Sequence, residues 1–259
     1  MYSIFSKKNF IAGTSACVLI IAIFMLGLLT GCGADKSHNN SNVANAQTSD
    51  NSEGINKADG QEIKDSAVEE NKIMDDFQAL LANSAALPEI ISFMDNNISL
   101  ASKENASVMI NKLEEIQKKF LPEMDEKFYK EDFQREMSEA FMQSFDISKI
   151  YDVEDTELKQ LLTEARDSGY KMETAEGMFF PVIDYEFYRK YSSYVSSDMK
   201  EYIEIMAVES NNTPAKDAAL VIDWDEILKR ALNQEKFITL YRDSTKLEDV
   251  KELYKKYVT

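Results

Sequence analysis

Histidine occurs once in this 259-residue chain, tryptophan once, cysteine twice, proline four times and glycine eight times. Each scarcity excludes something. One His and two Cys are too few for a zinc site, a Ser-His-Asp triad or a disulfide framework, and no transition-metal site or other cofactor is expected. Four prolines and eight glycines rule out a collagen-like or Pro/Gly-disordered chain. No Gly-rich phosphate loop, Gly-x-Ser-x-Gly elbow or His-Glu-x-x-His string is present. Positive charge is also in deficit, with 29 Lys and Arg against 46 Asp and Glu, a formal net charge of −17. So negative a surface repels nucleic acid, which is set aside as a partner, and anionic lipid. What is present, 44% hydrophobic and 29% charged residues, suits a folded acidic domain.

Long apolar runs are confined to the N-terminus. Lys7 and Lys8 precede an almost unbroken run from Phe10 to Leu29, a charged region and hydrophobic region in the order of a secretory signal. The run ends in Leu29-Thr30-Gly31-Cys32, which resembles the lipobox of bacterial lipoproteins. That resemblance implies cleavage after residue 31, acylation of Cys32 and anchorage on the extracytoplasmic face of the cell membrane, where several buried acyl chains make the hold durable. The alternative is an uncleaved span, since about 20 apolar residues suffice to cross a bilayer. Both place the body outside the cytoplasm, as Lys7 and Lys8 do through the positive-inside bias. Removing residues 1–31 takes away Cys17 and two lysines but no acid, so the mature chain carries 27 bases against 46 acids. With Cys32 acylated, no free thiol is left for a nucleophile or a disulfide.

Residues 32–66 then read as the lipidated Cys and a flexible tether. Asn39-Asn40-Ser41-Asn42 typifies a stretch too poor in large apolar residues to offset its ordering entropy. As a random coil it reaches roughly 30 to 35 Å. His38 lies within it, without a second His or Cys to share a metal.

Residues 67–259 read as one acidic, mainly α domain, an irregular helical bundle with one short β-hairpin near residues 170–183. Apolar residues recur at helical spacing in Ile73, Phe77, Leu80 and Leu81; in Ala106, Met109, Ile110, Leu113, Ile116 and Phe120; and in Phe133, Met137, Phe141 and Phe145. Further stripes are Met199, Tyr202, Ile203 and Met206; Trp224, Ile227, Leu228 and Ala231; and Leu247, Val250, Leu253, Tyr254 and Tyr257. Asp198 with Glu201, Asp223 with Glu226 and Thr245 with Glu248 have capping-box spacing, and Thr213-Pro214 reads as a cap followed by proline in the first turn. Helix starts are therefore predicted near 198, 213, 223 and 245. In the hairpin, Tyr170–Thr174 and Met178–Ile183 flank Ala175-Glu176-Gly177, and Pro181 confines the second arm to an edge. The last stripe predicts a docked C-terminal helix. Its finish lacks a closing Gly or Asn, so a frayed end or a chain cut short is expected.

Three constellations are candidates for function. Ile205-Met206-Ala207-Val208-Glu209-Ser210 resembles the helix-borne Glu-Ser of lytic transglycosylases, enzymes that cleave the glycan of peptidoglycan. The resemblance implies Glu209 as general acid and then base, a role served by a carboxyl of raised pKa. Asp223-Trp224-Asp225-Glu226 gathers three carboxylates but lacks the Gly-containing loop of an EF-hand, and acids in a first helical turn complement the dipole. Tyr185, Tyr188, Tyr191 and Tyr194 belong to a cluster whose flat faces and polar tips suit core packing or a contact surface. The leading expectation is a lipid-anchored binding or scaffolding module with an envelope protein or glycan as partner. The alternative is a peptidoglycan-cleaving enzyme using Glu209. A solute-binding lipoprotein fits less well, because strand–helix alternation is absent.

Overall fold

Helices dominate the computed structural model, which describes the backbone of residues 59–141, 150–151, 153–217 and 219–259, with side chains from residue 68 onward. Cys17, Leu29-Thr30-Gly31-Cys32, His38 and Phe145 lie outside the described residues. The described residues all fall within the unit Gly54–Thr259. Among them, no helix is long and apolar enough to cross a membrane.

The first helix, α1 (Asp59–Ala82), starts ahead of residue 67, where composition places the end of the tether. Composition counts burial, whereas extending an existing helix fixes one residue for each hydrogen bond gained and needs no new nucleus. Phe77 and Ile73 turn inward from it. Next come α2 (Leu87–Asn97), entered through Pro88 near its N-terminus, and α3 (Lys103–Phe128). Glu70 of α1 accepts from Ser102 N at 2.8 Å and from Asn105 Nδ2 at 2.7 Å, so one carboxylate caps the start of α3. The α3 stripe is buried from Ala106 through Leu113, while Phe120 lies partly exposed. Then α4 (Glu131–Phe141) buries Phe133, Met137 and Phe141, and α5 (Thr156–Asp167) starts on Asp155, whose Oδ1 accepts from Leu158 N.

The expected hairpin is present as β1 (Tyr170–Ala175) and β2 (Met178–Ile183), antiparallel with Tyr170 opposite Ile183. Its connection is Glu176-Gly177, one residue shorter than read from the sequence. Both residues have positive φ, 51° and 77°, as a two-residue primed turn requires. Gln134 of α4 covers the outer side of β2, exchanging two 2.8 Å hydrogen bonds with the Phe179 backbone. Pro181, two residues on, faces the same side, so its missing N–H costs the ladder nothing.

A short helical turn α6 (Tyr185–Tyr188) continues as a 3₁₀ turn through Tyr191. It leads into α7 (Ser197–Asn211), α8 (Trp224–Leu240) and α9 (Leu247–Val258). Asp223 caps α8 as expected, its Oδ1 accepting from Glu226 N at 2.7 Å. The helix start predicted near 213 is absent. Residues 215–216 and 219–220 instead pair as β3 (Ala215–Lys216) and β4 (Ala219–Leu220) around Asp217, whose φ is 51°. Thr245 does not cap α9, since its hydroxyl accepts from Asn111 Nδ2 across to α3. One buried cluster runs from Phe77 through Met109, Leu113, Phe179 and Tyr202 to Phe237 and Val250.

Candidate functional site

Glu209 sits in the last turn of α7, where α8 and α9 converge on it. Tyr257 of α9 donates its hydroxyl to the Glu209 carboxylate at 2.7 Å. From α8, Gln234 Nε2 donates to Oε1 at 3.3 Å and Arg230 Nη1 lies 3.5 Å from Oε2. Arg230 is almost wholly buried and also donates to Glu226 Oε1 and the Asn212 carbonyl, each at 2.9 Å. Burial raises the Glu209 pKa above the ordinary glutamate value, with the Tyr257 hydroxyl and the Arg230 guanidinium pulling the other way. Arg230 Nη2 and Gln234 Oε1 are buried without a partner. The adjoining α7–α8 cleft encloses about 110 Å³ and has no aromatic wall. Drug-sized ligands occupy pockets of about 300 Å³ or more, so a glycan chain does not fit as it stands. Ser210, next in sequence, turns elsewhere, its Oγ accepting from Tyr185 N at 3.3 Å. The residues therefore form a clasp joining three helices, with a carboxyl of raised proton affinity at its centre.

The tyrosine cluster divides. Tyr185, Tyr188 and Tyr191 are buried and do not form a contact surface, whereas Tyr194 is partly exposed. Their spacing of three lines them along one inward face of the helical turn and the 3₁₀ turn that continues it. Each hydroxyl finds a polar partner: Tyr185 donates to buried Glu114, Tyr188 to the buried Gln117 side chain and Tyr191 to Asp95 at the surface, at 2.6 Å. Tyr202 donates to Glu114 at 2.5 Å, and Tyr170 to the Gln117 carbonyl at 2.8 Å.

Glu114, which the sequence reading missed, is the more elaborate centre. Its carboxylate takes hydrogen bonds from two tyrosines, an ion pair with buried Lys246 and another with Lys118 at 2.9 Å. Lys246 also lies 4.8 Å from the centre of the Tyr202 ring. Burial by itself pushes the Glu114 pKa up, but the charges of Lys246 and Lys118 and the bonds from Lys246 and Tyr185 outweigh it and hold it at about 2. Gln117, one turn along α3, donates from Nε2 to the Ser168 carbonyl at 2.7 Å, close against Gly169. Gly169 has φ +74°, a conformation that favours glycine, and a Cβ there would displace the Gln117 side-chain amide. The available signal was two polar residues, Glu114 and Gln117, in the apolar phase of the Ile110–Leu113 stripe.

The acidic string at 223–226 disperses: Asp223 is the α8 cap, and Glu226 pairs with Lys229 and Arg230. Among the described residues no group of three or more His, Cys, Asp or Glu is placed to hold a metal ion. The apolar stripe of α8 divides: Trp224 and Leu228 are exposed and Ile227 and Ala231 half-buried, while Arg230, Gln234 and Phe237 are the buried residues of the helix. Where Arg230 and Gln234 turn in, the inner face is polar because its partners Glu209 and Tyr257 are polar, and it becomes apolar at Phe237; periodicity alone does not say which face turns in. No family model, curated protein or solved structure matches the chain.

Proposed function

We propose that the protein is a lipid-anchored extracytoplasmic component of the cell envelope whose helical body is a binding or scaffolding module. The address rests on the apolar run closed by Leu29-Thr30-Gly31-Cys32. The observation that carries the binding role is the exposed apolar face of α8, a contiguous surface of a kind that marks interaction sites. Acylation needs the Cys32 thiol, so Cys32→Ser is expected to lose label from a fatty-acid analogue and to stay uncleaved at this site. Equal labelling of the variant and the natural chain removes the anchor.

The alternative, a peptidoglycan-cleaving enzyme with Glu209 as general acid and base, draws support from the raised pKa of that carboxyl. The small cleft and the Tyr257–Arg230 clasp weigh against it. Release of soluble fragments from purified peptidoglycan by the full chain, abolished in Glu209→Gln, would replace the binding role with the enzymatic one.

A further inference from the structure

In α9 Val250 alone is buried, with Leu253 packed partly against the core. The last turn of the helix is held through Tyr257, whose hydroxyl reaches back to α7 and lies 2.7 Å from both carboxylate oxygens of Glu209. A hydroxyl has one proton to give, so a single donor here serves two acceptors. The other donors stand farther off, Gln234 Nε2 at 3.3 Å and Arg230 Nη1 at 3.5 Å. Arg230 directs its shorter bonds, 2.9 Å each, to Glu226 and the Asn212 carbonyl and is no dedicated counter-ion. With the Glu209 side chain 12% exposed, a charge there is nearly out of water and thinly paired.

Gln234 Oε1, beside it, is a buried acceptor with no donor. A proton on Glu209 supplies one: the carboxyl then gives a hydrogen bond to the Gln234 amide, turned to present its oxygen, and still accepts from Tyr257. We propose that Glu209, Gln234 and Tyr257 are a proton-operated clasp on α9, in which protonated Glu209 completes a neutral hydrogen-bonded set that holds the last turn and ionised Glu209 loosens it. The part let go is the end of a helix that packs along α8. The inference goes beyond the binding-module reading and does not depend on it.

Charges face Glu209 from each packed element. On α7, Glu201 and Glu204 line the same cleft, and Glu204 is paired with Arg189 at 2.9 Å. From α8 come Glu226, Lys229 and Arg230, with Glu226 bonded to both bases. Lys256 and Tyr257 approach from α9, and Lys171 of β1 is bonded to the adjoining Ser210 carbonyl. The bases are thus shared among several acids. Burial acts most strongly on Glu209 and raises its proton affinity, with the Tyr257 hydroxyl, Arg230 and Lys256 opposing. A folded value above the ordinary 4.5 means that folding takes up a proton here. The contribution of the clasp is therefore complete below about pH 4.5 and is lost as pH rises through the folded value. Glu114, held at about 2, changes its contribution only below 4.5, so the two carboxyls act in separate windows. Asp184 is raised as well, but it caps α6 and does not touch α9.

Hydrogen exchange of the full chain in detergent, read by mass between about pH 4.5 and about pH 8, tests this, with rates converted to protection factors so that the intrinsic pH dependence of exchange drops out. The expected result is that protection in the peptide over residues 251–259 falls with rising pH, at most about tenfold for each pH unit because one proton is involved, and then levels off. Glu209→Gln keeps a neutral side chain of the same shape and should hold that protection flat at its acid level. Tyr257→Phe keeps the ring but removes the hydroxyl that links α9 to Glu209, and should also abolish the pH dependence. Protection that is flat or rises with pH in the natural chain overturns the proposal, as does a fall that persists in either variant. A fall shared equally by the peptide over residues 103–128 would be global and overturns it too.

Discussion

At the residue scale, Glu114 and Gln117 tie together the buried tyrosines of the interior. A buried tyrosine fills volume at little conformational cost but brings a hydroxyl that must be bonded. Glu114 and Gln117 between them accept from Tyr185, Tyr202, Tyr188 and Tyr170. The charge on Glu114 is in turn offset by Lys246 and Lys118. A carboxyl held at about 2 when folded, against 4.5 for an ordinary glutamate, binds its proton more tightly in the unfolded chain. Its stabilisation is therefore complete above about pH 4.5 and is lost as pH falls toward 2, a contribution of about 3 kcal/mol at 1.36 kcal/mol per tenfold in proton affinity. Glu114→Gln should lose several kcal/mol at pH 7, because Lys246 is left buried without its counter-charge. The variant should also lose less stability than the natural chain between pH 5 and 2, measured by urea midpoints. Parallel curves for the two proteins would show that Glu114 is not the group responsible.

At the scale of elements, the edge of the hairpin offers the sharpest test. Gln134 stands in for a third strand, donating to the Phe179 carbonyl at 2.8 Å and accepting from the Phe179 N–H at 2.8 Å, with a further bond to the Phe128 carbonyl at 2.9 Å. Gln134→Ala strips these partly buried backbone groups of their partners and should cost about 2–3 kcal/mol in the urea midpoint. An unchanged midpoint would show that water replaces the amide without loss. The hairpin was legible in the sequence because its turn residues and edge proline are local signals. So were α3 and α4, whose apolar stripes face a core that is apolar in return. What lies across from an element was not legible. The partners of Tyr185 and Tyr202 come from α3, 71 and 88 residues away, so the spacing of the tyrosines gave a shared face but not its use. The same limit hid the inner face of α8: Trp224 and Leu228 mark an apolar side, but Arg230 and Gln234 turn inward to meet Glu209 and Tyr257. The Glu-Ser string at 209–210 was visible, while the clasp that engages Glu209 is assembled from two later helices.

At the scale of the molecule, the excess of 16 negative charges in residues 67–222 opposes the compact state. Its counterweights are mostly exposed ion pairs such as Lys112–Glu115 and Lys127–Glu164, each worth about 0–1 kcal/mol. Salt weakens both the repulsion and these pairs. The repulsion is summed over many like charges at longer range, however, and a Debye length that falls from about 10 Å at 0.1 M to about 3 Å at 1 M removes it first. The buried Lys246–Glu114 pair, with both side chains almost fully enclosed, is screened least of all. Raising potassium chloride from low concentration toward about 0.5 M should therefore lift the thermal midpoint by about 2–4 °C, the equivalent of about 1 kcal/mol for a body of this size. Glu114→Gln should show the same salt response from a lower starting midpoint. A midpoint that falls with salt would mean that the exposed pairs outweigh the repulsion, and that the acidity of the body is compensated locally, pair by pair, across its surface.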